Sequence, residues 1–228
     1  MLDTANIEEL EYGIRAWPVV GVTSNPSILK KEGNIDIYGQ LQSIKNLCGT
    51  RRSLHVQVVS KTTDGIIGEA HHILSRLGSD VYIKIPVSRE GLPAIKALAA
   101  EGVNITATAI YSALQGILAI LAGAKYIAVY YNRMENNCTD PNMVIREIRS
   151  FIDNSGSSSR ILGASFKNVS QVMEAYTNGA QSVTVDPNII RTGLNMASIN
   201  DAVDVFAKDF YDIHGEGETM LTIDKNNK

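Results

Sequence analysis

Eight short runs rich in β-branched residues recur along the chain, at 2–5, 19–25, 54–60, 81–87, 104–110, 126–133, 160–166 and 182–187. Between them lie segments with apolar residues at helical spacing, such as TTDGIIGEAHHILSRLG, GLPAIKALAAEG, YSALQGILAILAGA, NMVIREIRSFIDNS and NVSQVMEAYTNGA. Several of these end in glycine, a common helix stop. Strands alternating with helices read as parallel β-α-β units. Eight such units in 228 residues predict an α/β fold, a (β/α)8 TIM barrel. An open doubly wound sheet is the rival, but it ordinarily uses fewer strands. No Pro-rich or low-complexity linker divides the chain, so residues 1–215 are expected to form one barrel domain. Residues 216–228 are expected to be a tail, either disordered or packed on a neighbouring subunit. The stretch PSILKKEGNIDIYGQ after the second run is long for a strand-to-helix loop and leaves room for a short extra helix.

Side chains alternate between the two faces of a strand. In a barrel one face meets the helices and the other the interior. Placing the apolar set against the helices sends Val20 and Val22 outward on strand two, and Leu54, Val56 and Val58 outward on strand three. On strands four to six it sends Ile83, Ile85, Ile105, Ala107, Ile127 and Val129 the same way. The opposite parity then collects Asp3, Thr23, Asn25, Gln57, Lys84, Thr108 and Tyr130. Strand seven stays ambiguous, because Leu162, Ala164 and Phe166 oppose Ile161, Gly163 and Ser165.

A structural barrel interior is filled by bulky branched side chains. A polar inner set around one lysine is a different thing. Burial disfavours an ammonium and frees the amine lone pair, which is what a Schiff-base nucleophile needs. Asp3 is placed to stabilise the ammonium or to move a proton. Singly, each residue has a plainer reading: a strand lysine often snorkels to an edge, and Thr23, Asn25 and Thr108 are ordinary local hydrogen-bonders. The shared parity is what favours a site.

Other classes find little support. The net charge is −3, which offers no basic surface for nucleic acid. No apolar run reaches the length of a membrane span, and the acidic N-terminus lacks a signal-peptide core. Cys48 and Cys138 match no metal-ligand spacing and read as reduced thiols of a cytoplasmic protein. His55, His71, His72 and His214 form no ligand constellation and read as structural or solvated. No phosphate-binding glycine fingerprint occurs.

The motifs GVTSNPSIL, VYIKIPVSREGLPAIKAL, ATAIYSALQGILAILAGAKYIAVYYNR and GASFKN, in that order, resemble the transaldolase family. They are most similar to its small-subunit type, which includes fructose-6-phosphate aldolase, and the resemblance runs from Leu2 to about Phe210. It implies class I aldol chemistry on a sugar phosphate, with no metal and no cofactor. By this resemblance Lys84 in VYIKIPV is the Schiff-base lysine and Asp3 in LDT a proton-transfer carboxylate. Thr23 and Asn25 in VTSNP contact substrate, and Thr108 in ATAIY joins the catalytic set. Ser165 in GASFK, Arg133 in YYNR and Lys167 are implied as phosphate contacts. Gln57 and Tyr130 resemble the aldolase type, where transaldolases proper commonly carry Glu and Phe. Asp186 in VTVDPNIIRTG departs toward the transaldolase type. Transfer of a dihydroxyacetone unit between sugar phosphates is therefore the alternative activity, and a non-catalytic phosphosugar-binding barrel the alternative of another class. The small members imply a homo-oligomer with the C-terminal helix as the exchanged element.

Overall fold

The structure is a computed structural model that describes residues 1–223. The strands are β1 Leu2–Asp3, β2 Gly21–Thr23, β3 Ser53–Gln57, β4 Tyr82–Pro86, β5 Ile105–Ile110, β6 Tyr126–Tyr130, β7 Arg160–Ala164 and β8 Ser182–Val183. They pair in sequence order and all in parallel. The ring closes where Asp3 N–H donates to Val185 O at 2.8 Å and Val185 N–H to Met1 O at 3.1 Å. The (β/α)8 barrel expected from the period is the fold observed.

The helices are α1 Ile7–Ala16, α2 Pro26–Lys31, α3 Ile37–Cys48, α4 Thr63–Leu77, α5 Gly91–Ala100 and α6 Ala113–Leu121, followed by α7 Tyr131–Asn136, α8 Pro141–Ser155, α9 Val169–Thr177, α10 Pro187–Leu194 and α11 Ala197–His214. Their starts are written locally. Asn25, Thr62, Ser112 and Asn168 each accept a backbone N–H three residues on, satisfying a donor the first turn leaves free. Helix α2 fills the long loop after β2, as its length suggested. None of the helices among the described residues is long and apolar enough to cross a membrane.

The core lies between strands and helices. Ile83, Ile85, Ile105, Ala107, Ile127 and Val129 are fully buried and point outward as expected, on the side where α5 packs on β4 and β5 and α8 on β6. Truncating one such isoleucine to alanine costs about 2–5 kcal/mol. Gly91 lets α5 begin against the end of β4, since a Cβ there would meet Pro86 O at 1.9 Å.

Two sequence expectations are corrected and one ambiguity is resolved. Val20 lies before β2 and is 59% exposed rather than under a helix. The sixth strand stops at Tyr130, not Arg133: Tyr131 opens α7 and buries its ring near Phe166, centroids 5.6 Å apart. Arg133 is therefore a helical residue. Strand seven is resolved by register, with Ala128 opposite Leu162 and Tyr130 opposite Ala164, so Leu162 and Ala164 face inward. Ser165 follows with φ 63°, which breaks the alternation and brings its side chain to the interior as well.

Residues Met1–Ile189 form one compact unit and those from Ile190 a second. The second contains α11, in which no residue is buried. Of the expected tail, residues 224–228 lie outside the described residues.

Candidate active site

Lys84 sits at the middle of β4, with Gln57 of β3 and Thr106 of β5 as its register neighbours. Its side chain is 5% exposed and its Nζ donates to Ser24 O at 2.9 Å. Burial pushes its pKa below the usual 10.5, and the Asp3 carboxylate opposes this in part. A cavity of about 80 Å³ opens beside it. Asp3, Asn25, Thr108, Tyr130, Arg133 and Ser165 line this cavity, three of them on different strands and three on segments that follow strand ends. All stand at or near the C-terminal ends of the strands, where the loops of this fold build their sites.

Several of these groups are held by named partners. Thr23, fully buried on β2, donates to Asp3 Oδ1 at 2.5 Å and lies 2.6 Å from Thr184 Oγ1. Because Thr23 gives its proton to the carboxylate, Thr184 must be the donor of the second bond, and the chain runs Thr184 to Thr23 to Asp3. Thr108 donates to the Tyr130 phenol oxygen at 3.1 Å. Burial raises the Tyr130 pKa, so the phenol keeps its proton at neutral pH. The exposed Arg133 guanidinium lies 4.8 Å above the Tyr130 ring and makes a long 3.4 Å bond to Tyr111 OH. A register shift in β5, with Ala109 at φ 55°, precedes Tyr111, whose ring meets Tyr130 edge-on at 5.7 Å.

The sequence-derived candidates thus divide. Lys84, Asp3, Thr108, Tyr130, Asn25, Arg133 and Ser165 converge on one cavity. Thr23 stands behind Asp3 rather than on the cavity wall. Asn25 spends its side-chain oxygen on the cap of α2, leaving its amide N–H groups for the cavity. Gln57 is level with Lys84 but lines two grooves on the β3 side, and its buried Oε1 receives no hydrogen bond from the described residues. Lys167 is exposed and lies off the cavity. Asp186, 42% exposed, also lies off it and bonds the backbone of Asn188. Sequence reading missed Thr184, the Ser24 carbonyl and Tyr111. Alternation along 182–185 points to Thr184; nothing in the sequence marks the bulge that delivers Tyr111.

The largest groove described, about 680 Å³, is elsewhere, between α2, α3 and α4. Its walls are mostly apolar, including Leu29, Leu41 and Ile73. Size does not locate the chemistry here; an amine, a carboxylate and a phenol meeting in one small cavity do. A buried amine whose pKa is lowered, beside two proton carriers, can add to a carbonyl and carry it through an imine.

Comparison with known proteins agrees with this geometry. A family model described as transaldolase/fructose-6-phosphate aldolase matches residues 1–225. A Streptococcus pneumoniae protein named as a probable fructose-6-phosphate aldolase is 48% identical over 211 residues, covering 92% of this chain and 95% of that protein. With a barrel, an inward lysine on the fourth strand and a match over nearly its whole length, the chain belongs to the transaldolase/fructose-6-phosphate aldolase family.

Proposed function

We propose that the protein is a class I aldolase that cleaves fructose 6-phosphate to dihydroxyacetone and glyceraldehyde 3-phosphate, and runs the reverse addition. The observation that carries this is the buried Lys84 amine facing Asp3 and Tyr130 across one cavity. The Lys84 nitrogen attacks the C2 carbonyl of the open-chain ketose. The alkoxide takes a proton, water leaves from the carbinolamine, and an iminium remains. The C4 hydroxyl then gives up its proton, and the C3–C4 bonding electrons move into the iminium. An aldehyde departs and a three-carbon enamine stays on Lys84. Protonation at C3 and addition of water release dihydroxyacetone and restore the amine. Asp3, Tyr130 and a water on Thr108 move these protons, and Gln57 joins that water once its side chain turns from the β3 grooves toward the cavity. Gln57 Oε1 is free to accept from such a water. Arg133 and Ser165, with Lys167 on the following loop, hold the phosphate of the aldehyde half, a group that a guanidinium matches with paired bonds.

Incubation with fructose 6-phosphate alone tests the reading. Free dihydroxyacetone is expected. Turnover only when erythrose 4-phosphate is supplied, with transfer and no release, would favour the transaldolase reading instead. Binding with no covalent adduct would favour a silent phosphosugar-binding barrel.

The same reading takes the protein to be a cytoplasmic homo-oligomer, acting on a small sugar phosphate without nucleic acid or membrane. Cys48 is buried, Cys138 exposed, and both are free thiols. Helix α11 supports self-association. Ile199, Val203, Phe206 and Ile213 form an exposed stripe along its 18 residues, and helices in proteins draw most of their stability from packing such an apolar face. A second copy of the chain is its proposed cover, and sedimentation with and without Phe206→Glu reads it: the variant is expected to dissociate.

A further inference from the structure

The barrel floor beneath Lys84 holds a histidine for which the chemistry above has no use. His55 is fully buried on β3. Both its ring nitrogens are engaged, Nδ1 with Thr106 Oγ1 and Nε2 with Ser53 Oγ, each at 2.8 Å. The ring stacks on Tyr82, two residues before Lys84, with centroids 4.5 Å apart, and meets Tyr126 at 5.3 Å. Burial first, and the Lys84 charge second, push its pKa well below the usual 6.5, so the imidazole is neutral. A neutral ring has one donor and one acceptor nitrogen, and two hydroxyls satisfy both.

His55 is also tied to the nucleophile through its own main chain. Its carbonyl oxygen accepts from Ser24 N–H at 3.0 Å and from Ser24 Oγ at 3.3 Å. The carbonyl of that same Ser24 receives the Lys84 Nζ at 2.9 Å. An unbroken set of bonds therefore runs from the pinned ring to the reacting nitrogen. The Ser24 carbonyl takes one N–H of Lys84 in the amine, the carbinolamine and the protonated imine alike. In the amine, this holds the nitrogen in place and leaves the lone pair two of its three staggered positions.

We infer that His55, acting through Ser24, is a positioning residue that holds the Lys84 nitrogen at the cavity and keeps its lone pair off the Ser24 side. Neither Ser24 nor His55 lines the cavity. The inference rests on the aldolase reading and deepens it: it explains why a polar histidine, rather than a branched apolar side chain, fills this layer. Its signature is a loss in the covalent step rather than in substrate capture, because the cavity walls that hold substrate are left in place.

The test measures the rate of borohydride-trappable adduct formation at saturating fructose 6-phosphate, with KM alongside. His55→Phe keeps a flat ring against Tyr82 but removes both ring bonds; adduct formation is expected to slow about tenfold or more, with KM changed less than about threefold. His55→Gln, whose amide offers one donor and one acceptor to the same hydroxyls, is expected to recover most of the rate. Thr106→Val cuts the ring bond from its far end with a side chain of similar shape, and carries the same expectation should His55→Phe not fold. Folded His55→Phe or Thr106→Val trapping at the wild-type rate would overturn the inference. So would losses in all three variants that simply follow their thermal midpoints, Gln included. A wild type that forms no adduct is a separate result: it sinks the aldolase reading, and this inference with it.

Discussion

Replacing Thr23 by valine is the sharpest perturbation of the chain that holds Asp3. The shape is nearly unchanged and only the hydroxyl is lost. In the native protein that hydroxyl donates to Asp3 Oδ1 at 2.5 Å and accepts from Thr184 at 2.6 Å. The first bond is charge-assisted, worth about 1.5–3 kcal/mol. The Thr184 hydroxyl is 2% exposed and is left without its acceptor, a further penalty of about 1–3 kcal/mol. The added methyl returns roughly 0.8 kcal/mol. A net loss of about 2–5 kcal/mol is expected, which for a chain of this size lowers the thermal midpoint by about 4–20 °C. Urea unfolding at one fixed protomer concentration reads it, with Thr23→Ser as the control that retains the bonds. The double variant with Thr184→Val carries a second signature: with both hydroxyls gone no buried donor is orphaned, so it should lose less than the two singles together. A Thr23→Val loss under about 0.5 kcal/mol, or strict additivity in the cycle, would refute the directional chain argued here. Turnover should fall about tenfold in Thr23→Val, because the Asp3 carboxylate loses its aim.

Two further outcomes follow from the charges around the site. The folded pKa of His55 is depressed, so below about pH 6.5 the unfolded chain binds a proton that the native one does not, and stability should fall on acidification at up to about 1.4 kcal/mol per pH unit. The buried Met1 α-amino group, pushed down to about 6, gives the same sign from pH 8 downward, so the difference between wild type and His55→Asn is the quantity to read; equal slopes would contradict a neutral buried ring. Arg133→Ala should raise KM for fructose 6-phosphate about tenfold or more while leaving unphosphorylated fructose nearly unaffected; an equal change for both would remove Arg133 from the phosphate site.

Much of this architecture was legible in the chain because two physical periods are strong in it. The alternation of β-branched runs with helical segments predicted the barrel, and alternation within the runs turned Lys84, Asp3, Thr108 and Tyr130 inward together. What failed did so where the backbone leaves the regular pattern. The aromatic and apolar character of YYNR continues past the end of β6, because Tyr131 is as buried in a helix as it would be in a strand. Parity cannot follow Ser165 through a left-handed residue, nor Tyr111 past the irregularity at Ala109. Gln57 was legible in position but not in rotamer: it has the expected register and a side chain turned toward other grooves. His55 shared the inward parity and was passed over, since a histidine between Leu54 and Val56 carries no sign that both its nitrogens find hydroxyls.

The central claim is a covalent bond between a sugar ketone and one buried nitrogen. Peptide mass mapping after borohydride reduction in the presence of fructose 6-phosphate tests it directly. The account predicts a single stable adduct carrying a reduced three- or six-carbon unit on Lys84, absent from Lys84→Arg. An adduct on another lysine, or a Lys84→Arg variant that is trapped and turns over normally, would contradict it.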